Sequence, residues 1–106
     1  MNDFSDVLAF AAERRAAGEL VALATVIATW GSSPRPVGSL MAISDRLRVA
    51  GSVSGGCVET AVIDAAVEVM RSGSPRCLAF EVSNDSAFAV GLACGGGMRV
   101  FVEPVG

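Results

Sequence analysis

Histidine and tyrosine are both absent from this sequence of 106 residues. Without histidine the chain cannot build a Ser-His-Asp triad, a Cys-His dyad or a zinc site with imidazole ligands. Its three cysteines are too few for a zinc site of four thiolates, and their spacing matches neither a CxxC pair nor the disulfide framework of a small secreted protein. The available chemistry therefore rests on reduced thiols, carboxylates, arginine and backbone amides.

Long hydrophobic runs and basic clusters are missing as well. No apolar run approaches the roughly 18 residues that a membrane-spanning helix needs, and the N-terminal MNDFSDVLAF has acidic residues where a signal peptide has basic ones. The net charge is -3 and no Lys/Arg-rich run occurs, which argues against nucleic acid as a ligand. We therefore expect a cytoplasmic protein that contacts neither membrane nor nucleic acid.

Apolar residues, by contrast, are abundant. They make up 52% of the chain, charged residues make up 18%, and the mean hydropathy is +0.55. These values are high for a small domain that stands alone, so part of the apolar surface is expected to meet a partner. A homodimer is one arrangement that would satisfy this expectation.

Hydrophobic periodicity predicts two helices and five strands in one domain. The first helix carries Phe4, Val7, Leu8, Ala11 and Ala12 on one face, is capped by Asn2 or Asp3 and ends at Gly18; the second starts at Val58 and ends before Gly73 and Pro75. Strands are predicted over residues 19–30, 39–44, 47–53, 76–82 and 98–102, with a tight turn at Asp45 and Arg46. The order α, β, β, β, α, β, β predicts an α/β (α+β) fold, with a single small mixed β-sheet and two main helices packed on it.

The segment GSVSGGCVE, residues 51–59, carries the first candidate site. Gly55 and Gly56 permit a sharp turn, and Cys57 falls near the first turn of the second helix, where free amide groups bind anions and the helix dipole lowers a thiol pKa. Ser52 and Ser54 offer hydroxyl donors. The alternative is a tight strand-to-helix turn with a buried, inert cysteine.

Two further glycine-rich segments also place polar or thiol side chains beside glycines. GLACGGGMRV, residues 91–100, places Cys94 before Gly95, Gly96 and Gly97; GSSPRPVGS, residues 31–39, places Arg35 between two prolines, beside Ser32 and Ser33. An arginine in a stiffened turn suits a phosphate or carboxylate, although a solvated loop charge is the simpler alternative. No P-loop or complete GxGxxG is present, which argues against ATP, NAD or FAD. The third cysteine, Cys77, lies in an alternating apolar strand and is expected to be ordinary core.

Taken in order, GSSPRPVGSLM, GSVSGGCVE and GLACGGGMRVFVEP closely resemble the N-terminal domain of the XdhC/CoxI family over nearly the whole chain, residues 1–106. Members of that family are maturation factors for molybdenum hydroxylases such as xanthine dehydrogenase and carbon monoxide dehydrogenase. Longer members continue into a Rossmann-like C-terminal domain, and this chain ends at Gly106, so a short member or a fragment is expected.

The resemblance implies transient binding of the molybdenum cofactor, a molybdopterin, and support for its sulfuration and insertion. The implied partners are an apo molybdenum hydroxylase and a cysteine desulfurase as sulfur donor. The glycine-rich loops, hydroxyls and Arg35 suit the anionic cofactor, and Cys57 and Cys94 suit the metal or sulfur chemistry. This interpretation favours a cofactor chaperone over a turnover enzyme. Two alternatives stay open: a sulfur-transfer enzyme with a persulfide on Cys57 or Cys94, and a non-catalytic interaction domain.

Overall fold

The computed structural model describes residues 4–30, 36–53, 59–81 and 97–105. Within them, two helices and five strands follow one another in the predicted order. The helices are α1 (Phe4–Ala16) and α2 (Glu59–Ser72), and the strands are β1 (Val21–Trp30), β2 (Leu40–Ser44), β3 (Val49–Gly51), β4 (Arg76–Glu81) and β5 (Gly97–Val105). The fold class predicted from the sequence is confirmed.

The strands form one sheet in the order β3-β2-β1-β5-β4. All four neighbouring pairs are antiparallel. The described sheet is therefore purely antiparallel, whereas a mixed sheet was expected from the sequence. β1 is the central strand of the sheet. Its apolar residues point to both faces of the sheet, which suits a strand that is covered on both faces. The chain passes from one edge strand, β3, to the other, β4, through α2.

The two helices pack on opposite faces of the sheet. α1 lies on β1, β2 and β3, where Val7 and Ala11 pack against Val21, Leu40 and Ala42. α2 lies on β1, β5 and β4, and its buried stripe of Val62, Ala65, Ala66, Val69 and Met70 follows the helical period. The larger core lies beneath α2, because side chains from four strands converge there. Each helix therefore closes one face of the sheet.

Most helix and strand boundaries agree with the sequence patterns. Gly18 and Gly73 follow the two helices with φ of 89° and 77°, which confirms the predicted helix ends. β3 is shorter than expected and β5 longer, since β5 stays paired with β1 as far as Val105. The caps proposed at Asn2 or Asp3 lie outside the described residues.

Three side chains expected to be buried are exposed. Leu8 and Ala12 lie on the outer side of α1, because only a narrow stripe of that helix touches the sheet. Cys77 was expected to be core, and this expectation is wrong: the side chain is exposed on β4. The alternation does mark a strand, but Leu78 and Phe80 face α2 while Cys77 faces the opposite side, where no helix of the described residues covers β4.

Candidate functional site

Three strand termini meet at one end of the sheet, which we call the loop end. Gly97, the first residue of β5, is the cross-strand partner of Trp30 on one side and of Glu81 on the other. Trp30 is the residue directly before GSSPR, and Gly97 is the last glycine of CGGG. The described ends of two of the three glycine-rich segments are thus paired residues of neighbouring strands.

The third segment, GSVSGGCVE, leaves β3 toward the same end of the sheet, but it starts several residues short of the level of Trp30. The amide of Ser52 donates to the carbonyl of Leu40 at 3.1 Å, and Leu40 pairs with Thr25 of β1. Since Trp30 lies five residues further along β1, the loop end is stepped by about 15 Å along the strand direction. Apolar side chains are exposed on this step: Ile27, at an irregularity in the β1–β5 pairing, and Val37 are 46% and 56% exposed.

Gly51 determines how the chain leaves β3. Its φ is +81°, and a Cβ at this position would lie 2.3 Å from the carbonyl oxygen of Leu40 and 2.7 Å from Cγ2 of Val7. Any side chain would therefore both strain the backbone and collide with β2 and α1. The glycine that opens GSVSGGCVE is needed for packing, which the sequence pattern alone did not indicate.

A carboxylate connects the two described ends of this segment. Oε2 of Glu59, the first residue of α2, accepts a hydrogen bond from the Ser52 hydroxyl at 2.5 Å and one from the Val53 amide at 3.2 Å. The sequence pattern did not predict this contact of Glu59. The signal was present, because an acidic residue in the first turn of a helix is favoured by the helix dipole and by capping hydrogen bonds.

Of the predicted site residues, only Ser52 and Gly97 lie in the described part of the chain. Ser52 is half-buried and its hydroxyl donates to Glu59; Gly97 is buried in the sheet. The remaining predicted site residues lie outside the described residues: Ser32, Ser33, Arg35, Ser54, Gly55, Gly56, Cys57, Cys94, Gly95 and Gly96. Within residues 4–30, 36–53, 59–81 and 97–105, no group of three or more Cys, Asp or Glu side chains is placed to hold a metal ion.

A separate open groove of about 570 Å³ runs between α2 and the edge strand β4. Leu78, Phe80 and Ala65 contribute its apolar surface, and Asp64, Glu68 and Arg76 contribute its charged residues. Neither Ser52 nor Gly97, the two predicted site residues that the structure describes, lines this groove. Its mixed charges select no particular ligand, so the loop end remains the better candidate site.

Two proteins of Escherichia coli are similar in sequence to this chain. The molybdenum cofactor insertion chaperone PaoD of Escherichia coli K12 is 36% identical over 99 residues, which are 93% of this chain and 31% of PaoD. The uncharacterized protein YqeB of the same organism is 32% identical over 82 residues, which are 77% of this chain and 15% of YqeB. The chain thus spans less than a third of the length of either relative.

A solved structure supports the fold. The crystal structure described as a xanthine dehydrogenase from Bacillus halodurans superposes with a TM-score of 0.78 at 28% identity, covering 93% of this chain and 30% of that one.

Neither helix in the described part of our chain is long and apolar enough to cross a membrane. The sequence profile of the XdhC and CoxI family matches residues 14–81, more than half of the chain, which therefore belongs to the XdhC and CoxI family.

Proposed function

We propose that this chain binds the molybdenum cofactor as cargo at the loop end, supports its sulfuration, and passes it to an apo molybdenum hydroxylase. The cofactor is an anionic molybdopterin with a metal centre, so it calls for phosphate donors on one part and soft ligands on another. Backbone amides in glycine-rich turns supply the first, and thiols supply the second. The proposed setting for this work is the cytoplasm.

One structural observation carries the proposal. Trp30, which precedes GSSPR, is the cross-strand partner of Gly97, the last glycine of CGGG. GSVSGGCVE starts at Gly51 and leaves β3 toward the same end of the sheet. Three segments far apart in sequence therefore start from one end of the sheet. The strand order alone brings the three segments to this end, and the glycines, hydroxyls and thiols in their sequences support the proposal that they act together there.

The relatives give independent support. PaoD is named a molybdenum cofactor insertion chaperone, and it aligns with 93% of this chain. Because the aligned part is only 31% of PaoD, its activity does not transfer automatically to a chain of this length. We propose that the aligned part is the part that handles the cofactor.

Each predicted residue then has a defined role in the proposal. Arg35, with Ser32 and Ser33, binds the terminal phosphate of the cofactor as a planar donor of several hydrogen bonds. Cys57 and Cys94 contact the molybdenum centre or carry the sulfur that a cysteine desulfurase supplies. The exposed apolar residues on the step of the loop end are suited to contact the acceptor enzyme.

Thiol protection tests the proposal. The protein is treated with iodoacetamide, without cofactor and with molybdenum cofactor released anaerobically from a molybdoenzyme, and the modification of each cysteine is followed by mass spectrometry. We expect the cofactor to protect Cys57 and Cys94 together. Cys77 is an internal reference, because its exposed position on β4 should leave its reaction rate unchanged.

Matched variants complete the test. Arg35→Ala should weaken cofactor binding by about tenfold or more, as for loss of a charged hydrogen bond, whereas Arg48→Ala, exposed at the opposite end of the sheet, should not. Equal and unprotected reaction of Cys57 and Cys94 would contradict the proposal. A persulfide mass shift on either cysteine after incubation with a cysteine desulfurase would assign sulfur transfer to this chain as well.

A further inference from the structure

The two edge strands of the sheet differ in how well they are protected against pairing with another chain. At one edge, β3 has only three residues and ends at Gly51, whose φ is +81°. At the other edge, β4 has six residues and pairs with β5 without a bulge or register shift. In the part of the chain that the structure describes, no strand lies beyond β4. β4 is therefore the edge of the described sheet that can best accept a further strand.

The sequence of β4, RCLAFE, also lacks the features that prevent edge strands from pairing. It contains neither proline nor lysine, and the four residues from Cys77 to Phe80 carry no charge. Edge strands that stay unpaired usually carry such residues, are very short, or contain a bulge. The outer edge of β4 therefore favours the addition of a strand, and the charges beside it determine which strand fits.

A groove with charges of both signs runs beside this edge, between α2 and β4. Only three residues join α2 to β4, and the two elements pack together, so they run in opposite directions. Arg76 therefore lies beside the end of α2, whereas Phe80 lies beside its first half, where Asp64 is exposed. Glu68, the other acid of the groove, forms an ion pair with Arg71 at 3.4 Å. The groove thus has a basic end at Arg76 and an acidic end at Asp64.

These charges fit a second copy of the same strand. Side chains alternate between the faces of a sheet, so opposed residues of two antiparallel strands must point to the same face. A twofold axis at Leu78 satisfies this condition, because it places Arg76 opposite Phe80 of the second copy. Each Arg76 then lies at the acidic end of the other groove, on the side of Asp64 of the second copy.

We infer that β4 is a dimerisation edge, at which a second copy of this chain adds its own β4 in antiparallel orientation. The two five-stranded sheets then form one continuous sheet, with two pairs of Arg76 and Asp64 across the axis. The apolar content of 52%, high for a domain that stands alone, agrees with a covered edge. The axis reverses the strand direction, so the two loop ends lie at opposite ends of the joined sheet. The inference does not depend on the proposed function.

Charge reversal across the proposed axis tests the inference. Arg76→Glu and Asp64→Arg are each analysed alone and as an equimolar mixture, by sedimentation velocity over a range of concentrations in reducing buffer. Association is measured as the increase in mass above the 10.8 kDa of the monomer. Arg48→Glu and Asp45→Arg are the matched controls, because they change the net charge equally at exposed positions of the turn between β2 and β3. Circular dichroism establishes that each variant is folded.

We expect the wild type to dimerise and each single variant to weaken dimerisation about tenfold or more, because like charges then face each other at two contacts. The mixture should restore dimers with a dissociation constant within about threefold of the wild type. In such a heterodimer both contacts again join opposite charges, since each variant keeps the residue that the other has changed. Only a contact between two chains can be restored by mixing. The two control variants should dimerise like the wild type.

The following results would overturn the inference. A wild type that stays monomeric at every concentration would show that the edge takes no second copy. Dimers that persist in Arg76→Glu and Asp64→Arg would place the interface elsewhere, and an equal loss in the two controls would assign the effect to net charge. A mixture that stays monomeric while both variants are folded would exclude the contact between Arg76 and Asp64.

Discussion

The two halves of the sheet differ in how many of their faces are covered by a helix. α1 covers one face of β1, β2 and β3, while side chains on the other face of β1 and β2 belong to the main core that α2 closes, and β2 is buried along its entire length. β4 and β5 pack on α2 with one face, and on the opposite face Cys77, Ala79 and Arg99 are exposed. The difference arises because α1 crosses β1, β2 and β3, whereas α2 crosses β1, β5 and β4 on the opposite face.

The two halves should therefore differ in how strongly substitutions change the stability of the protein. The doubly covered half carries the positions where a small change in shape has no space to be accommodated. The singly covered half, in contrast, presents part of its surface to solvent, and substitutions there should cost little. The following predictions test this difference, beginning with the largest expected effect.

Gly51→Ala should have the largest effect. The new Cβ would lie 2.3 Å from the Leu40 carbonyl oxygen in a backbone conformation with positive φ, so we expect a loss of about 3 kcal/mol or more in the free energy of unfolding. Urea denaturation followed by circular dichroism measures it. Gly73→Ala is the control, because φ is also positive there but nothing lies within 4 Å; it should cost only about 1 kcal/mol. Equal losses would mean that the collision is unimportant.

Val7→Ala tests the packing of α1 on the doubly covered half. Val7 is 1% exposed and contacts β2 and β3 residues, so its truncation should cost about 2 kcal/mol through lost burial and a residual cavity. Leu8→Ala, on the outer side of the same helix at 39% exposure, should cost much less. If thermal melting ranked the two variants the other way round, the assigned inner face of α1 would be incorrect.

Arg14→Met tests the ion pair at the end of α1. Arg14 Nη1 and Glu19 Oε2 are 3.1 Å apart with side chains 23% and 10% exposed, and Glu19 Oε1 is buried without a hydrogen-bond partner in the described contacts. Removing Arg14 leaves the buried carboxylate uncompensated, so we expect a loss of about 1.5 kcal/mol. Arg71→Met is the control in an exposed pair and should change stability by less than about 0.5 kcal/mol.

Cys77→Ser should have the smallest effect. Because Cys77 is exposed on the uncovered face of β4, a hydroxyl in place of the thiol should change the free energy of unfolding by less than about 0.5 kcal/mol. The native protein should also react at Cys77 with a thiol reagent as fast as an unfolded peptide of the same sequence. Slow reaction of Cys77 in the native monomer, or a loss above 1 kcal/mol, would show that this face is covered after all.

The sequence by itself determined the element order, the fold class and the family resemblance. These depend on local periodicity, on turn residues such as Gly18 and Gly73, and on three ordered glycine-rich motifs, all of which are properties of neighbouring residues. The candidate site was predictable to the level of its segments. Their convergence was not, because the pairing of Trp30 with Gly97 joins residues 67 positions apart and follows from the sheet order alone.

Only the tertiary structure decided which face of each element is covered. Alternation along β4 correctly indicated a strand, but it could not say whether Cys77 or Leu78 faces a helix, because that depends on which side of the sheet α2 crosses. The same holds for Gly51, whose need for a hydrogen in place of a side chain comes from the nearby Leu40 carbonyl and Val7, and for Glu59, whose partners lie across the segment before α2. Periodicity is encoded locally, whereas burial and hydrogen-bond partnership arise only when distant segments are brought into contact.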